Sequence, residues 1–85
     1  MSLVTIILTY NEERHIERCI ASVQAISDNI LVVDSGSTDR TTDIASKSGA
    51  QVLVRPFKHH ADQFNWALAQ VNTTSGWILR IDADE

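Results

Sequence analysis

The sequence predicts an α/β fold built on a mostly parallel sheet, with strands and helices in the order βαβαβαβ. Four short apolar runs rich in β-branched residues are typical of strands that are covered on both faces. Between them lie segments whose apolar residues recur at helical spacing. This alternation requires right-handed crossovers, and it predicts a doubly wound sheet.

The first part of the chain supplies two strands and the helix that joins them. Leu3–Thr9 is an almost unbroken apolar run, and we predict it as the first strand. We interpret Asn11 as the cap of a helix from Glu12 to Gln24, because acidic residues suit its first turn and its apolar residues share one face. Ile30–Val33 is predicted as the second strand, which ends at Asp34.

The remaining elements follow the same alternation. A loop of small residues, in which Asp39 is interpreted as a cap, precedes a short helix from Thr41 to Ser48. Gln51–Val54 is predicted as the third strand, and Ala61–Val71 carries the apolar stripe of a third helix. The last strand is predicted over Ile78–Ile81.

Composition limits the classes to which the chain can belong. Its 85 residues suffice for one small domain, and 44% hydrophobic with 21% charged residues is an ordinary globular composition. A net charge of −4 without any basic cluster argues against nucleic acid as a partner. No apolar stretch approaches the ~20 residues that a transmembrane helix needs. The lone Cys19 excludes an internal disulfide and fits the reducing cytoplasm. The expected location is therefore cytoplasmic, either free or at the inner face of the membrane.

Polar side chains follow three of the predicted strands, at the point where each strand ends. In open α/β sheets, ligands bind outside the carboxyl ends of the strands, where the strand order reverses. We therefore expect one ligand site on this edge. The three segments are Thr9-Tyr10-Asn11-Glu12, Asp34-Ser35-Gly36-Ser37 and Asp82-Ala83-Asp84.

Asp82 and Asp84 are the candidate metal ligands. Alternate residues of an extended segment share a face, so the two carboxylates lie side by side. Such a pair suits Mg²⁺ or Mn²⁺, which complete their shell with water and substrate phosphates. The alternative is that these acids only mark a solvated strand end.

The loop after the first strand does not suit a phosphate. It lacks Gly-x-Gly-x-x-Gly, the chain has no Walker loop, and Glu12 and Glu13 would repel an anion at the helix start. Tyr10 and Glu12 suit the uncharged part of a nucleotide, through ring contact and hydrogen bonds to hydroxyl groups. Asp34 can accept from a base N–H, and Gly36 allows close backbone approach; the alternative is that Asp34 only shapes its loop.

Four segments, taken in this order and spacing, resemble the family 2 glycosyltransferases of the GT-A fold. The resemblance covers essentially the whole chain, and the third segment is similar to the bacterial lipopolysaccharide-core and capsule branch. It implies that residues 1–85 are the Rossmann-like, nucleotide-sugar-binding part of a single GT-A domain that continues past Glu85. The segments are Ile6–Glu13, Ile30–Thr41, Ala61–Leu68 and Ile81–Glu85.

The resemblance also implies roles for particular residues. Asp82 and Asp84 form the Asp-x-Asp motif, in which the first acid serves the ribose or a metal-bound water and the last binds Mn²⁺ or Mg²⁺. Many members carry Arg or Lys before the third helix, where this chain has Lys58-His59-His60, so the positive partner of the nucleotide stays open. The residues implied to bind the nucleotide are Thr9, Tyr10, Glu12, Asp34 and Asp82.

The implied activity is inverting, metal-assisted transfer of a sugar from a nucleotide-diphosphate donor, often a uridine diphosphate (UDP) sugar, to a saccharide or lipid-linked acceptor in polysaccharide assembly. The general base is expected beyond Glu85. The 85 residues alone are therefore expected to be inactive, and to self-associate through the uncovered sheet edge at Trp77–Ile81. The alternative function is a non-catalytic nucleotide-binding or interaction module that retains the donor pocket.

Overall fold

The computed structural model describes residues 3–56, 63, 65–67, 69 and 77–82, and these form a parallel sheet flanked by helices. The described residues between the third and fourth strands, 63, 65–67 and 69, are helical. The predicted α/β class and the order of the elements are confirmed. The elements are β1 (Leu3–Thr9), α1 (Ile16–Gln24), β2 (Asn29–Asp34), α2 (Thr41–Lys47), β3 (Gln51–Val54) and β4 (Trp77–Asp82).

The strand order is β3-β2-β1-β4, and every neighbouring pair is parallel. The chain runs outward from β1 through β2 to β3 and then returns to the other side of β1, so the order reverses between β1 and β4. In the register, Thr9 lies opposite Asp34, Asp34 opposite Val54, and Leu8 opposite Asp82. The carboxyl ends of all four strands therefore meet at one edge of the sheet, where the sequence predicted the ligand site.

Each face of the sheet has its own apolar core. On one face, Ile7 and Val32 pack with the buried side of α1 and with Ala45 of α2. On the other, Ile6 and Val33 belong to a cluster that includes Ala67 of the helical residues before β4. Burial on both faces explains the unbroken apolar runs of β1 and β2, since alternate residues must satisfy two cores.

The predicted start of the first helix is wrong. α1 begins at Ile16, and Asn11 is not its cap but has a left-handed backbone with φ of 51°. Residues 13–15 form a turn, in which Ile16 N donates to the carbonyl oxygen of Glu12 at 2.9 Å. The hydrogen-bonding groups of Asn11 are used by a neighbouring loop instead, as described below.

The other boundaries differ little from the predicted ones. α2 ends at Lys47, one residue early, and Gly49 follows with φ of 95°, the conformation that favours glycine after a helix. β4 is longer than predicted, since it includes Trp77 and Asp82. Within the described residues, no helix has the length and apolar character needed to cross a membrane.

Candidate functional site

The candidate site lies at the carboxyl edge of the sheet and is formed by two loops. We call residues 10–15, between β1 and α1, the first loop, and residues 35–40, between β2 and α2, the second loop. Ser35 N donates to the carbonyl oxygen of Thr9 at 3.0 Å, which extends the pairing of β1 and β2 into the start of the second loop. The two loops are thereby held next to each other.

Asp34 is the buried anchor of the second loop. Its side chain has no exposed surface, and its Oδ1 accepts hydrogen bonds from Thr9 Oγ1 at 2.8 Å and Ser37 Oγ at 2.5 Å. Its Oδ2 accepts from Gly36 N at 2.9 Å and Ser37 N at 2.6 Å. A carboxylate offers about four acceptor positions, so donors of the protein fill them all. The contact between Asp34 and a base stays a prediction, and it requires one of these donors to leave.

Asn11 joins the first loop to the second. Its N–H donates to Ser37 Oγ at 2.8 Å, and its Oδ1 accepts from Thr38 N at 2.8 Å. Both bonds need the left-handed backbone at Asn11, a conformation that Asn adopts more readily than most residues. The local helix-cap signal of this Asn is thus overridden by contacts to residues far away in sequence.

The next two residues continue the contact between the loops. Glu12 N donates to Thr41 Oγ1 at 2.8 Å, and Glu13 N donates to Asp39 Oδ2 at 3.3 Å. With the bond from Asn11, three successive N–H groups ahead of α1 are occupied. N–H groups at a helix start are the usual ligands of a bound phosphate. These three N–H groups are therefore not available to a phosphate in the first loop, although they precede α1, which begins at Ile16.

Asp39 connects the first loop to the start of α2. Its Oδ1 accepts from Thr41 N at 3.0 Å and also from the Thr41 hydroxyl, so it satisfies the first N–H of α2, although the N-cap position itself is Arg40, whose side chain makes no capping bond. Partial desolvation raises the pKa of Asp39, but hydrogen bonds from Thr41 and Glu13 outweigh this effect and hold the pKa below its ordinary value of 3.8. The ionised form is thus the one that ties the loops together.

Tyr10 and Glu12 differ in exposure, since Tyr10 is exposed and Glu12 is half-buried. The Tyr10 side chain is 56% exposed directly after β1. Glu12 Oε2 lies 2.9 Å from His15 Nδ1, and the Glu12 side chain is 21% exposed. Both residues follow Thr9, which lies opposite Asp34 in the sheet, and they are among the groups that the sequence assigned to a nucleoside.

Arg55 and Gln63 complete the edge beyond β3, and the sequence analysis did not identify either. Arg55 N donates to the carbonyl oxygen of Asp34 at 2.8 Å, and Gln63 Nε2 donates to the carbonyl oxygen of Arg55 at 3.0 Å. The Arg55 guanidinium lies 5.2 Å from the centre of the Trp66 ring, within cation–π range. Gln63 is completely buried, and no donor reaches its Oε1 in the part of the chain that the structure describes. In the sequence, only the position of Gln63 four residues before Ala67, which places it on the same face of a helix, hinted at this burial.

The predicted metal ligands are located only in part. The backbone of Asp82 ends β4 at the same edge as Thr9 and Asp34, while Asp84, like Lys58-His59-His60 and Glu85, lies outside the described residues. Among the residues that are described, no group of three or more His, Cys, Asp or Glu side chains is arranged to hold a metal ion. A pair of carboxylates two residues apart in sequence, such as Asp82 and Asp84, is a suitable donor set for a hard cation, and the metal site stays a prediction.

Comparison with known proteins gives the family. Residues 4–85 match the family described as "Glycosyl transferase family 2". An uncharacterised glycosyltransferase of Rickettsia bellii (strain RML369-C) is 47% identical over 79 residues, which are 93% of this chain and 26% of that protein. The chain thus spans about a quarter of the length of the curated relatives it matches.

Solved structures show the same relationship. The glucosyl-3-phosphoglycerate synthase of Mycobacterium tuberculosis, in complex with UDP, superposes with a TM-score of 0.78 at 32% identity, over 99% of this chain and 34% of that one. A second structure of that synthase, with Mn²⁺, UDP-glucose and phosphoglyceric acid, gives a TM-score of 0.78 over 96% of this chain and 33% of that one, again at 32% identity. The α/β sheet described above is therefore that of the GT-A glycosyltransferases, and the chain belongs to glycosyl transferase family 2.

Proposed function

We propose that this chain binds the donor in a transferase that moves a sugar from a UDP-sugar to a saccharide or lipid-linked acceptor, with inversion at the transferred carbon. The observation that supports the donor class is the likeness to glucosyl-3-phosphoglycerate synthase, whose crystal structures contain UDP, and Mn²⁺ with UDP-glucose. The acceptor class and the inversion rest on the resemblance of the four sequence segments. The resemblance of residues 61–68 to one bacterial branch supports a role in cytoplasmic steps of polysaccharide assembly. The general base is proposed to lie beyond Glu85, and the proposal is supported by the length of the Rickettsia bellii relative, of which this chain covers only 26%.

The geometry of the two loops supports a nucleoside at the edge between β1 and β2. The exposed ring of Tyr10 offers a flat apolar surface to a base, and the Glu12 carboxylate offers an acceptor to ribose hydroxyls. Asp34 lies one strand away, opposite Thr9 in the sheet register. These are acceptor and stacking groups, which suit a base and a sugar better than a phosphate.

Asp82 and Asp84 are proposed to hold Mn²⁺ or Mg²⁺. The end of β4 supports this, because it lies at the same edge and next to β1. A divalent cation there supplies Lewis-acid neutralisation of the diphosphate that leaves the sugar. This chain would contribute the two carboxylates, and the pairing of β4 with β1 supports a position near the proposed nucleoside pocket.

Thermal denaturation with UDP and Mn²⁺ tests the donor site. Ligand at 100 times its dissociation constant stabilises a protein by ~2.7 kcal/mol. For a domain of this size that corresponds to a rise in Tm of ~10 °C or more. No rise at millimolar UDP, in a sample whose circular dichroism shows that it is folded, contradicts the nucleotide pocket. An equal rise with adenosine diphosphate contradicts recognition of the base.

A matched pair of variants separates a direct effect of the Glu12 carboxylate on UDP binding from the general effect of removing one negative charge. Glu12→Gln removes the carboxylate proposed to contact the ribose and leaves the backbone bond to Thr41 intact, so UDP binding is expected to weaken. Glu17→Gln makes the same change on the exposed side of α1 and is expected to leave UDP binding unchanged. Isothermal titration calorimetry measures both. An assay of sugar transfer from a UDP-sugar to an acceptor, made with the protein that carries this sequence, then distinguishes an enzyme from a binding module.

A further inference from the structure

Thr41 is the first residue of α2, and its hydroxyl group joins the two loops. The residue is completely buried. Its Oγ1 accepts a hydrogen bond from Glu12 N at 2.8 Å and donates to Asp39 Oδ1, which also accepts from Thr41 N at 3.0 Å. One hydroxyl group thus links the backbone of the first loop to a carboxylate of the second loop.

The direction of both bonds of this hydroxyl is fixed by the chemistry of its partners. A backbone N–H only donates, and a carboxylate that is ionised, as Asp39 is at neutral pH, only accepts. The single proton of the Thr41 hydroxyl therefore points to Asp39, and a lone pair of its oxygen points to Glu12 N. Because neither bond can reverse, Asp39 fixes the hydroxyl, and the hydroxyl fixes the backbone of Glu12.

The rest of Glu12 is held within the first loop. Its carbonyl oxygen accepts from His15 N at 3.0 Å and from Ile16 N at 2.9 Å, and its Oε2 lies 2.9 Å from His15 Nδ1. The side chain is 21% exposed. A carboxylate has about four acceptor positions, so the contact with His15 leaves positions for a ligand. Thr41 supplies the contact that relates this partly exposed carboxylate to the second loop.

We propose that Thr41 is a positioning residue for the Glu12 carboxylate, and that it thereby sets how strongly the site prefers a nucleotide with ribose hydroxyls. The inference rests on the proposed function, because it takes Glu12 as the acceptor of those hydroxyls. A hydroxyl donor needs an O–O distance of ~2.5–3.0 Å, so a small shift of the Glu12 backbone weakens the bond. Thr41 is buried and acts without touching the ligand.

The experiment compares UDP with 2′,3′-dideoxy-UDP, which lacks both ribose hydroxyls. Dissociation constants are measured by calorimetry in the presence of Mn²⁺, with the protein that carries this sequence and with its variants. Thr41→Val keeps the shape of the side chain and removes the hydroxyl. We expect it to lower the ratio of the two constants, dideoxy-UDP over UDP, about fivefold, which corresponds to about 1 kcal/mol. Thr41→Ser keeps the hydroxyl and is expected to keep the native ratio.

Two further variants separate this role from a structural one. Thr5→Val makes the same change at another completely buried threonine, near the amino end of β1, whose hydroxyl bonds to Ser27 Oγ, and it is expected to keep the native ratio. In a Glu12→Ala background, where the acceptor is absent, Thr41→Val is expected to leave the ratio as it is. A further fall of the ratio in that background would show that Thr41 acts through another group, and would overturn the proposal.

A merely structural role of Thr41 predicts a different result. Thr41→Val then weakens both nucleotides equally, and this unchanged ratio overturns the proposal. If Thr41→Val does not fold, Thr41→Cys decides the question: its S–H is a weak donor and its sulfur a weak acceptor, so the ratio should fall by less, and a native ratio refutes the role. A protein that does not bind UDP overturns the proposed function itself. One that binds both nucleotides equally overturns the ribose contact of Glu12, and this inference with it.

Discussion

Replacing Asp34 by Ala and by Asn separates its hydrogen bonds from its charge. Asp34→Ala leaves the buried Thr9 hydroxyl with no acceptor and frees the two N–H donors of the turn. Asp34→Asn keeps the shape. Its amide oxygen can take the place of Oδ2 and accept from Gly36 and Ser37, while its NH₂ faces two hydroxyl groups that can turn to accept.

The expected losses follow from these partners. A buried donor without an acceptor costs ~1–3 kcal/mol, and the N–H groups of Gly36 and Ser37 also lose their acceptor. We therefore expect Asp34→Ala to lower the free energy of unfolding by about 3 kcal/mol. Asp34→Asn loses only the assistance of the charge, which we expect to cost about 1 kcal/mol. At ~4–8 °C per kcal/mol for a domain of this size, the two variants should differ in Tm by roughly 10 °C.

Urea denaturation followed by circular dichroism measures these differences, with an unchanged m-value as the sign that both variants unfold as the native chain does. Asp43→Ala is the control, because Asp43 is 51% exposed and its ion pairs with Arg40 and Lys47 lie on the surface. Equal losses in the two Asp34 variants, or a larger loss for Asn, would refute the assignment of four internal donors to the carboxylate.

Three further predictions concern other parts of the edge. Asp84→Asn should abolish the Mn²⁺-dependent part of UDP binding in calorimetric titrations without changing the unfolding midpoint; an unchanged metal titration would show that the ion is held elsewhere. Asn11→Ala should lower the free energy of unfolding by ~1–2 kcal/mol, because Ala disfavours the left-handed backbone, and Asn11→Gly should lower it less. The opposite order in urea denaturation would contradict the role given to φ at Asn11. The pKa of Asp39 is lowered on folding, so its stabilisation is present above the ordinary pKa of 3.8 and is lost as the pH falls through the lower pKa of the folded protein. Asp39→Asn should flatten the acid limb of Tm against pH, and superimposable curves would argue against a stabilising role for the hydrogen bonds to Asp39.

The strands were predictable because parallel strands are covered on both faces. β1 and β3 have the predicted bounds, since their apolar runs are bordered by polar or turn residues on both sides. The placement of Thr9, Asp34 and Asp82 at one edge followed from the alternation of strands and helices alone. No residue had to be located individually, because parallel strands all end on the same side.

The start of α1 was not predictable from local signals. Asn11 precedes two acids and an apolar stripe, which is the usual pattern of a helix cap, but its partners Ser37 and Thr38 lie 26 and 27 residues away. Hydrogen bonds between loops depend on the register of β1 against β2, and spacing within one segment does not reveal that register. The hydrogen bonds to Asp34 were predictable only in part. Those from Gly36 and Ser37 are local to the turn, whereas the bond from Thr9 depends on the register of β1 against β2.

The contacts between the loops also determine where a donor's negative charge can lie. The N–H groups of Asn11, Glu12 and Glu13 are already bonded, and two of these residues carry carboxylates, so a diphosphate placed against this part of the first loop would meet repulsion and find these donors occupied. Under the proposed function, the nucleoside therefore lies between β1 and β2 and its diphosphate points across β1 toward β4. Asp82 pairs with Leu8, next to Thr9, so a cation bound at that end of β4 would offset the diphosphate charge one strand away from the nucleoside.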